Sequence, residues 1–473
     1  MLNLLKAPYF LQRFPWLAEQ CAGVMQEVRP LWRLAVPLIL SQVTWTGILF
    51  IDSILMGQLG AAALASGALA LSTFFFCYVL GAGVISASAN LVSLAHGAGN
   101  RDEVASATRA GLIVALFSPL FLGVVLWNAK PLMLALGQDP KTADEAIHFL
   151  HILMWGLPFG LIFLTLRGFA SGIGKAGPVP VITGAALVLS PCLGYALSQG
   201  VGTWPGLGLT GIAISSTLTY VFLGASFAYL VAAREPYRHY RIFGKFTRRD
   251  VKALVPLLKL GIPAGGTMGL ESGMFTACAY LMGAISAAAL AAHQSMMQLV
   301  IASFMIPAGL TFATSIRVGQ LAGGGDIRAA TRAGAAGQAL GILWTLLTTV
   351  ALIAMPEPLI RLFLPDGREG VEAARAVAMT LVPVVATMLI LDAWQTILSG
   401  CLRALKDARA TMIIYAVCCW GLAIPLAWFL SHRAMGPIGV WVGMSAGLLA
   451  VTLLLLGRFR RLTRHLVDGR RML

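Results

Sequence analysis

Long apolar blocks, separated by short runs of polar, glycine and proline residues, follow one another along the whole chain. A helix needs about 20 apolar residues to cross a bilayer, so the repeated blocks indicate a helical membrane protein with many spans. A membrane β-barrel would instead show weak alternation over strands of about ten residues, which this sequence lacks. The pattern predicts an all-α polytopic membrane protein with 12 transmembrane helices, near residues 32–56, 68–93, 104–128, 146–168, 178–200, 208–232, 255–283, 288–315, 329–354, 374–402, 409–431 and 437–457.

Composition and charge narrow the class further. Of the 473 residues, 58% are apolar and only 11% are charged. A soluble protein carries about 25% charged residues, so the composition excludes a water-soluble fold, a disordered chain and a nucleic-acid-binding protein. If both termini are cytoplasmic, 28 of the 34 Lys and Arg residues fall on the cytoplasmic side, which accounts for the net charge of +15. We therefore expect a multi-pass protein of the cell inner membrane with cytoplasmic termini, in contact with anionic lipid.

The two halves of the chain repeat. The segment LMGQLGAAALA at 55–65 aligns without a gap on LMGAISAAALA at 281–291, and ATRAG occurs at both 107–111 and 330–334. Each repeat holds six spans, an even number, so both halves have the same orientation, which predicts two six-helix bundles with a cleft between them. The predicted segments are an amphipathic N-terminus at 1–30 that lies on the membrane surface, a first bundle at 31–233, a basic cytoplasmic linker at 234–254, a second bundle at 255–457 and a basic cytoplasmic tail at 458–473.

Three carboxylates lie well inside apolar spans: Asp52, Glu271 and Asp392. A carboxylate at the centre of a membrane helix costs about 3 kcal/mol, and the sequence places no Lys or Arg at comparable depth to offset this. Each group must then be protonated, bind a metal cation or pair with a cationic substrate, and these are the steps of a transport cycle. The structural alternative is a neutral carboxyl group that hydrogen-bonds between helices.

Residues near these acids are candidates for lining a substrate site. Helical spacing puts Thr267 and Phe275 on the face of Glu271, and Met388 and Thr396, with Gln395, on the face of Asp392. Aromatic, hydroxyl and thioether groups beside an acid suit a bulky lipophilic cation. The remaining candidates are polar residues that bind either substrate or a neighbouring helix, namely Gln294, Gln298 and Gln42.

Other polar and sulfur-containing residues point away from catalysis. His293 lies at a span end, where a solvated or capping role is favoured over a proton relay. The seven cysteines have no metal-ligand spacing and are interpreted as packing residues. The sequence has no zinc-protease helix, no serine-hydrolase elbow and no phosphate loop, so we expect no enzyme activity, no cofactor and a cycle driven by an ion gradient.

Several segments resemble the multidrug and toxic compound extrusion (MATE) family over nearly the whole chain. They are the two LMGxxxAAALA segments, ALAAHQ at 289–294, RVGQLAGGGD at 317–326 and GCLRALKDAR at 400–409. The chain is most similar to the NorM-type branch, in which acids stand at the positions of Asp52, Glu271 and Asp392. The resemblance implies a V-shaped, two-lobed exporter of organic cations with a central cleft, coupled to Na⁺ or H⁺ influx.

Two departures from the family pattern bear on the coupling ion. The branch with a paired N-lobe proton site has a second Asp in span five, whereas residues 178–200 contain no acid, which favours coupling through Glu271 and Asp392. NorM-type pumps often have a tyrosine one turn before the span-ten Asp, where this chain has Met388. The loss of that oxygen weakens the case for Na⁺ and strengthens the case for H⁺.

The sequence-based hypothesis is therefore secondary antiport by a monomer with rocking bundles. Asp392, Glu271 and Asp52 carry the coupling ion and the organic cation, and Glu271 and Asp392 are the metal ligands if the ion is Na⁺. The principal alternative is a lipid-linked oligosaccharide flippase of the same superfamily. Such a flippase would need basic residues in its cavity for an anionic headgroup. A channel or a membrane-embedded enzyme is less favoured.

Overall fold

The computed structural model describes residues 15–135, 137–200, 206–244, 247–364 and 371–468. These residues form twelve helices long and apolar enough to cross a membrane, as predicted. We number them by span: α1 Pro15–Gln58, α2 Ala61–Gly97, α3 Arg101–Trp127, α4 Pro140–Leu153 and Leu157–Gly172 joined by a 3₁₀ turn, α5 Pro178–Gln199, α6 Leu209–Ala233, α7 Arg248–Ile285, α8 Ala287–Gly323, α9 Ile327–Ala354, α10 Val371–Ala404, α11 Ala408–Arg433 and α12 Pro437–Val467.

Several helices extend beyond their apolar blocks. The α1 helix begins at Pro15, so the predicted amphipathic N-terminus is in part the beginning of the first spanning helix; its residues 1–14 lie outside the described part. The α7 helix begins at Arg248, inside the predicted linker. The α12 helix continues through most of the predicted tail to Val467. Polar residues can extend a helix past the bilayer because its backbone hydrogen bonds need no apolar side chains.

Side-chain caps fix where several helices begin. The Asn100 side chain accepts a hydrogen bond from the Glu103 backbone N–H at the start of α3, over 3.2 Å. Asp326 caps α9 in the same way through the Ala329 N–H, over 2.8 Å. Such caps satisfy backbone donors that have no partner inside the helix. Asn100 and Asp326 occupy corresponding positions of the two repeats. The third helix of each repeat therefore begins with the same kind of side-chain cap.

The repeated arginines of the two ATRAG segments have related surroundings. Arg109 on α3 pairs with Asp250, near the beginning of α7, with 3.2 Å between Nη1 and Oδ2. Arg332 on α9 lies against Gly23, near the beginning of α1, so closely that a methyl group on Gly23 would overlap it. In each case the arginine of a third repeat helix packs against the beginning of a first repeat helix.

The chain separates into two compact units, residues 40–268 and residues 1–39 with 269–473. The division falls inside α1 and α7, whereas the sequence predicts bundles at 31–233 and 255–457. In the second of these units, Leu31, Ala35 and Leu38 of α1 belong to one buried apolar cluster with residues of α8, α10 and α12. The cluster of the other unit includes Ile48 of α1 with residues of α2 to α6.

Candidate functional site

Asp52 is fixed by two serine hydroxyl groups inside the unit 40–268. Ser216 of α6 donates to Oδ2 over 2.9 Å, and Ser190 of α5 donates to Oδ1 over 3.2 Å. The carboxyl group is only 2% exposed. Hydroxyl donors stabilise a buried carboxylate without neutralising it, so an ionised Asp52 keeps its charge available for a cation. Ser190 stands in span five, where the sequence showed no acid and suggested no partner for Asp52.

A small cavity of about 20 Å³ adjoins Asp52. Trp45, Ser216 and Tyr220 also line it. The Trp45 ring is stacked on that of Tyr78, with 5.5 Å between centroids, and is edge-on to Tyr220 at 5.4 Å. A cavity of this size holds about one water molecule. An acid beside aromatic rings is suited to a small cation, and in this conformation the cavity excludes any larger ligand.

Glu271 and Asp392 are brought together by one side-chain amide in the other unit. Gln395 Nε2 donates to Glu271 Oε1 over 2.6 Å and to Asp392 Oδ1 over 3.1 Å. The Thr396 hydroxyl oxygen lies 3.1 Å from the same nitrogen. Asp392 is 6% exposed and Gln395 is fully buried, whereas Glu271 is partly exposed. The two predicted acids of spans seven and ten therefore form one site, with Glu271 as its more accessible member.

The amide oxygen of Gln395 is buried and has no hydrogen-bond partner among the described residues. An unpaired buried acceptor is costly, so its presence next to two carboxylates calls for an explanation. A cation or a protonated ligand at this position would supply the missing partner. Helical spacing predicts that Gln395 lies on the face of Asp392, but the sequence pattern alone assigns it no role.

A buried arginine adds positive charge near one of the acids. Arg403 of α10 is 6% exposed and lies within electrostatic range of Glu271, although the sequence places no Lys or Arg at the depth of the acids. Its Nη1 also donates to Ser399 over 2.7 Å. Arg403 stands one residue after the end of predicted span ten. Its spacing of 11 residues from Asp392 puts both on one helix face, which is the signal that could have identified it.

The α11 helix contributes two aromatic residues to the same region. Tyr415 is 1% exposed and lies within electrostatic range of Glu271, Asp392 and Arg403. Trp420 donates its indole N–H to the carbonyl of Leu270, next to Glu271, over 3.0 Å. Trp420 stands in a π-helical segment, Ala416–Ala423, and such wide turns are frequent at functional sites. Tyr415 thus provides a phenol group near the acids although span ten has Met388 in place of a tyrosine.

The other candidate lining residues are more dispersed. Met388 is fully buried in the apolar cluster of its unit, and Phe275 packs against that cluster. The Thr267 hydroxyl donates to the Pro263 carbonyl of its own helix over 2.9 Å. Gln294 and Gln298 are exposed on α8, and Gln42 is partly buried on α1. Among the candidate lining residues within the described ranges, Thr396 is the one that hydrogen-bonds to Gln395 of the acid site.

His293 is buried, contrary to the solvated or capping role favoured from its position at a span end. It is 1% exposed, and its ring lies 5.2 Å from that of Trp441, centroid to centroid. Apolar packing against α12 therefore determines its environment. Within the described ranges, no group of three or more His, Cys, Asp or Glu side chains could hold a metal ion. A metal cation at Glu271 and Asp392 would thus need the amide, hydroxyl or phenol oxygens around them.

Comparison with known proteins gives the family. The MatE family model matches residues 37–196 and 263–429, one segment in each half. A probable multidrug resistance protein NorM of Pseudomonas aeruginosa is 38% identical over 423 residues, which cover 89% of this chain and 87% of that protein. A NorM protein of Bradyrhizobium diazoefficiens is 38% identical over 438 residues, 92% of this chain and 93% of its own length.

Solved structures agree on the fold. The crystal structure of a eukaryotic MATE transporter, AtDTX14, has a TM-score of 0.85 at 19% identity and covers 94% of this chain and 99% of that one. An outward-facing MATE transporter of the MOP superfamily has a TM-score of 0.82 at 16% identity, with coverage of 93% and 97%. At such identities the likeness is one of fold alone. The family match and the NorM relatives, at this identity and coverage, place the chain in the MatE family of transporters, in its NorM-type branch.

Proposed function

We propose that the protein is a secondary multidrug transporter that exports organic cations in exchange for Na⁺ or H⁺. The observation that carries the proposal is the junction of Glu271 and Asp392 on the Gln395 amide. Two carboxylates that share one neutral donor repel each other when both are ionised, so they favour the arrival of a positive partner. The relatives are named probable multidrug resistance proteins, which supports the same substrate class.

The exchange follows from competition for these carboxylates. Ionised Glu271 and Asp392 attract an organic cation, and its apolar parts pack on neighbouring side chains. When a proton or a sodium ion binds the same oxygens, it cancels the attraction and the organic cation leaves. Glu271, the partly exposed member, receives the incoming ion first. The unpaired Gln395 oxygen and the Tyr415 phenol are oxygen donors of the kind that a hard cation prefers.

Asp52 has a different part in this proposal. Its cavity of about 20 Å³ has room for a water molecule or a small ion but not for an organic cation, so in this conformation it serves ion coupling rather than drug binding. The hydroxyl groups of Ser190 and Ser216 hold the carboxylate in place while its charge changes.

The wider arrangement is part of the same proposal. A monomer in the cell inner membrane, with both termini in the cytoplasm, would alternate access by rocking two lobes, 31–233 and 255–457, about a central cleft. The basic linker at 234–254 would join them on the cytoplasmic side, in keeping with the excess of Lys and Arg expected there. The flippase alternative is not favoured, because the Gln395 amide joins two acids and the nearby basic residue, Arg403, is a single arginine within electrostatic range of Glu271.

Reconstitution tests the proposal directly. Purified protein in liposomes that contain a fluorescent organic cation is given a Na⁺ gradient or a pH gradient, one at a time, and dye efflux is followed. We expect one gradient to drive efflux and the Asp392→Asn variant to abolish it. Asp468→Asn, the same change at an exposed position after α12, should behave as the unmodified protein. Gradient-driven efflux by Asp392→Asn at the unmodified rate would overturn the proposed exchange, and efflux without any gradient would indicate a channel.

A further inference from the structure

A charged cavity whose lining shares no residue with the acid sites lies in the unit 40–268. It has a volume of about 440 Å³ and is formed by the beginning of α3, the residues before α7 and the first turn of α7. Five arginines line it, against two acids: Arg101, Arg109, Arg241, Arg248 and Arg249, with Asp102 and Asp250. The cavity therefore carries an excess of three positive charges, and its volume is in the range of small-molecule sites.

One ion pair forms the buried floor of this cavity. Asp250, 1% exposed, accepts hydrogen bonds from the Thr247 backbone N–H over 2.7 Å and from Arg109 Nη1 over 3.2 Å. Arg109 also donates to the carbonyls of Ile242 and Arg241, over 2.8 and 2.6 Å. The charges of Arg109 and Asp250 are thus used in holding the segment before α7. They fix the shape of the cavity and leave its other arginines to determine its charge.

The rim of the cavity carries arginines that form no buried ion pair. Arg249 lies 3.5 Å from Asp102 in an exposed ion pair, which contributes little in water. Arg101 contacts His239 at 2.8 Å, and within the described ranges no carboxylate pairs with Arg101, Arg241 or Arg248. Planar guanidinium groups that converge on one cavity suit a phosphate group, which accepts bidentate hydrogen bonds.

Two hydroxyl-bearing residues, Tyr240 and Thr247, also line the cavity. The Thr247 hydroxyl donates to Asp250 Oδ2 over 2.9 Å, so Tyr240 is the neutral donor that a ligand can use. Burial raises the pKa of Tyr240, so its phenol stays protonated near neutral pH and can donate to an anion. The Tyr240 hydroxyl lies 3.3 Å from His96 Nδ1, which orients it.

An apolar stripe leads away from the cavity along α7. It starts one residue after Asp250 and consists of four exposed side chains at helical spacing: Val251, Val255, Leu258 and Ile262, with exposures of 57%, 54%, 37% and 60%. A basic cavity of about 440 Å³ at a helix end, with an apolar stripe on the same helix, matches the headgroup and the acyl chain of a phospholipid. A free anion has no apolar part that could pack on the stripe.

We propose that this cavity is a binding site for the phosphodiester headgroup of an anionic membrane phospholipid, whose acyl chain follows the exposed stripe of α7. The site is separate from the residues of the proposed exchange, and it does not depend on which coupling ion that exchange uses. Bound lipid would stabilise the segment before α7 through the arginines that converge on it.

Native mass spectrometry and thermal unfolding in detergent test the proposal with named lipids. The purified protein is titrated with dioleoyl phosphatidylglycerol, with dioleoyl phosphatidylcholine, and with glycerol 3-phosphate and inorganic phosphate as headgroup-only probes. We expect retention of phosphatidylglycerol and a higher unfolding midpoint with it, weaker effects of phosphatidylcholine, and weakening of the phosphatidylglycerol effect as salt is raised. Equal binding of the two lipids would overturn the proposal. Binding of glycerol 3-phosphate as tight as that of phosphatidylglycerol would also overturn it, because it would identify a free-anion site.

Paired variants locate the site. Each arginine near an anionic headgroup contributes roughly fivefold in affinity, so we expect Arg248→Gln with Arg249→Gln to weaken phosphatidylglycerol binding about thirtyfold. Both side chains are exposed, so their replacement should leave the fold intact. The matched control is Arg460→Gln with Arg461→Gln, two adjacent exposed arginines near the end of α12, which should change binding less than about twofold. Equal losses in the two double variants would mean that the lipid responds only to net charge, and the site would be refuted.

Discussion

Arg403 gives the sharpest test of the acid site, because its removal should strengthen cation binding. When ionised, Glu271 and Asp392 together carry a charge of −2. Arg403 lies within electrostatic range of Glu271, so the site as a whole has a net charge of −1. The charge of one monovalent organic cation therefore neutralises the site. The Arg403→Gln variant doubles the net negative charge, and its amide can keep the hydrogen bond that Arg403 now donates to Ser399.

The size of the effect follows from Coulomb's law. If a separation of about 7 Å between the bound cation and the guanidinium position is assumed, with an effective dielectric constant of about 20, the lost repulsion is roughly 2 kcal/mol. This corresponds to about thirtyfold tighter binding. Efflux should nevertheless fall, because a single proton or sodium ion no longer cancels the charge of the site and the organic cation is released more slowly.

The assay is a titration of a fluorescent monovalent organic cation with protein in nanodiscs, alongside efflux from liposomes. The matched control is Arg167→Gln, which removes a buried arginine of the unit 40–268, where its Nη1 contacts the Ser41 hydroxyl at 3.4 Å. That control should leave cation affinity within about twofold of the unmodified protein. Weaker or unchanged affinity in Arg403→Gln would refute the charge balance assigned to the site.

Three further predictions concern packing, charge and hydrogen bonding. A methyl group at Gly337 would overlap Thr314, so Gly337→Ala should destabilise the protein by about 1–2 kcal/mol in thermal unfolding, whereas Gly184→Ala, with open space around it, should not lower stability. Arg109→Gln leaves Asp250 buried without its ion pair and should cost about 3 kcal/mol, whereas Arg101→Gln at an exposed position should have little effect on the unfolding midpoint. Replacing both Ser190 and Ser216 by Ala removes two donors to Asp52, each worth about 1.5–3 kcal/mol, and should lower efflux to the level of Asp52→Asn, whereas Ser72→Ala, whose hydroxyl bonds its own helix, should not. Equal effects in any variant and its control would contradict the corresponding contact.

The sequence predicts the number and positions of the spans because each is an apolar block that only a helix can carry across a bilayer. It does not predict where helices end in water, since caps and ion pairs decide that. The α7 helix begins at Arg248 rather than near 255, where the carboxylate of Asp250 accepts the Thr247 backbone N–H and pairs with Arg109. Arg109 and Asp250 come from segments that are distant in sequence, and the hydropathy pattern does not show that these segments lie close together.

The acid site was predictable in part for a related reason. The energetic cost of a carboxylate in an apolar span identifies Asp52, Glu271 and Asp392 one residue at a time. Their partners are supplied by the packing of other helices or, like Arg403, stand at a span end that resembles a loop. Helical spacing within α10 would have recovered Gln395 and Arg403, but no pattern along the chain links Ser216 to Asp52.

The two acid sites, when ionised, reach the same net charge of −1 by different means, and this difference bears on how one protein could exchange unlike cations. Asp52 is a single carboxylate held by two neutral hydroxyl groups in a cavity large enough for about one water molecule. Glu271 and Asp392 are two carboxylates offset by one arginine, with a partly exposed member and an unpaired amide oxygen. Each site, when ionised, therefore calls for one monovalent cation. The enclosed site at Asp52 accepts only a small ion, whereas the site at Glu271 and Asp392 can accept either a small ion or a large one. The coupling ion and the organic cation can therefore compete only at Glu271 and Asp392. Coupling and drug binding therefore meet at Glu271, and this is why Arg403, which sets the charge there, is the residue to test first.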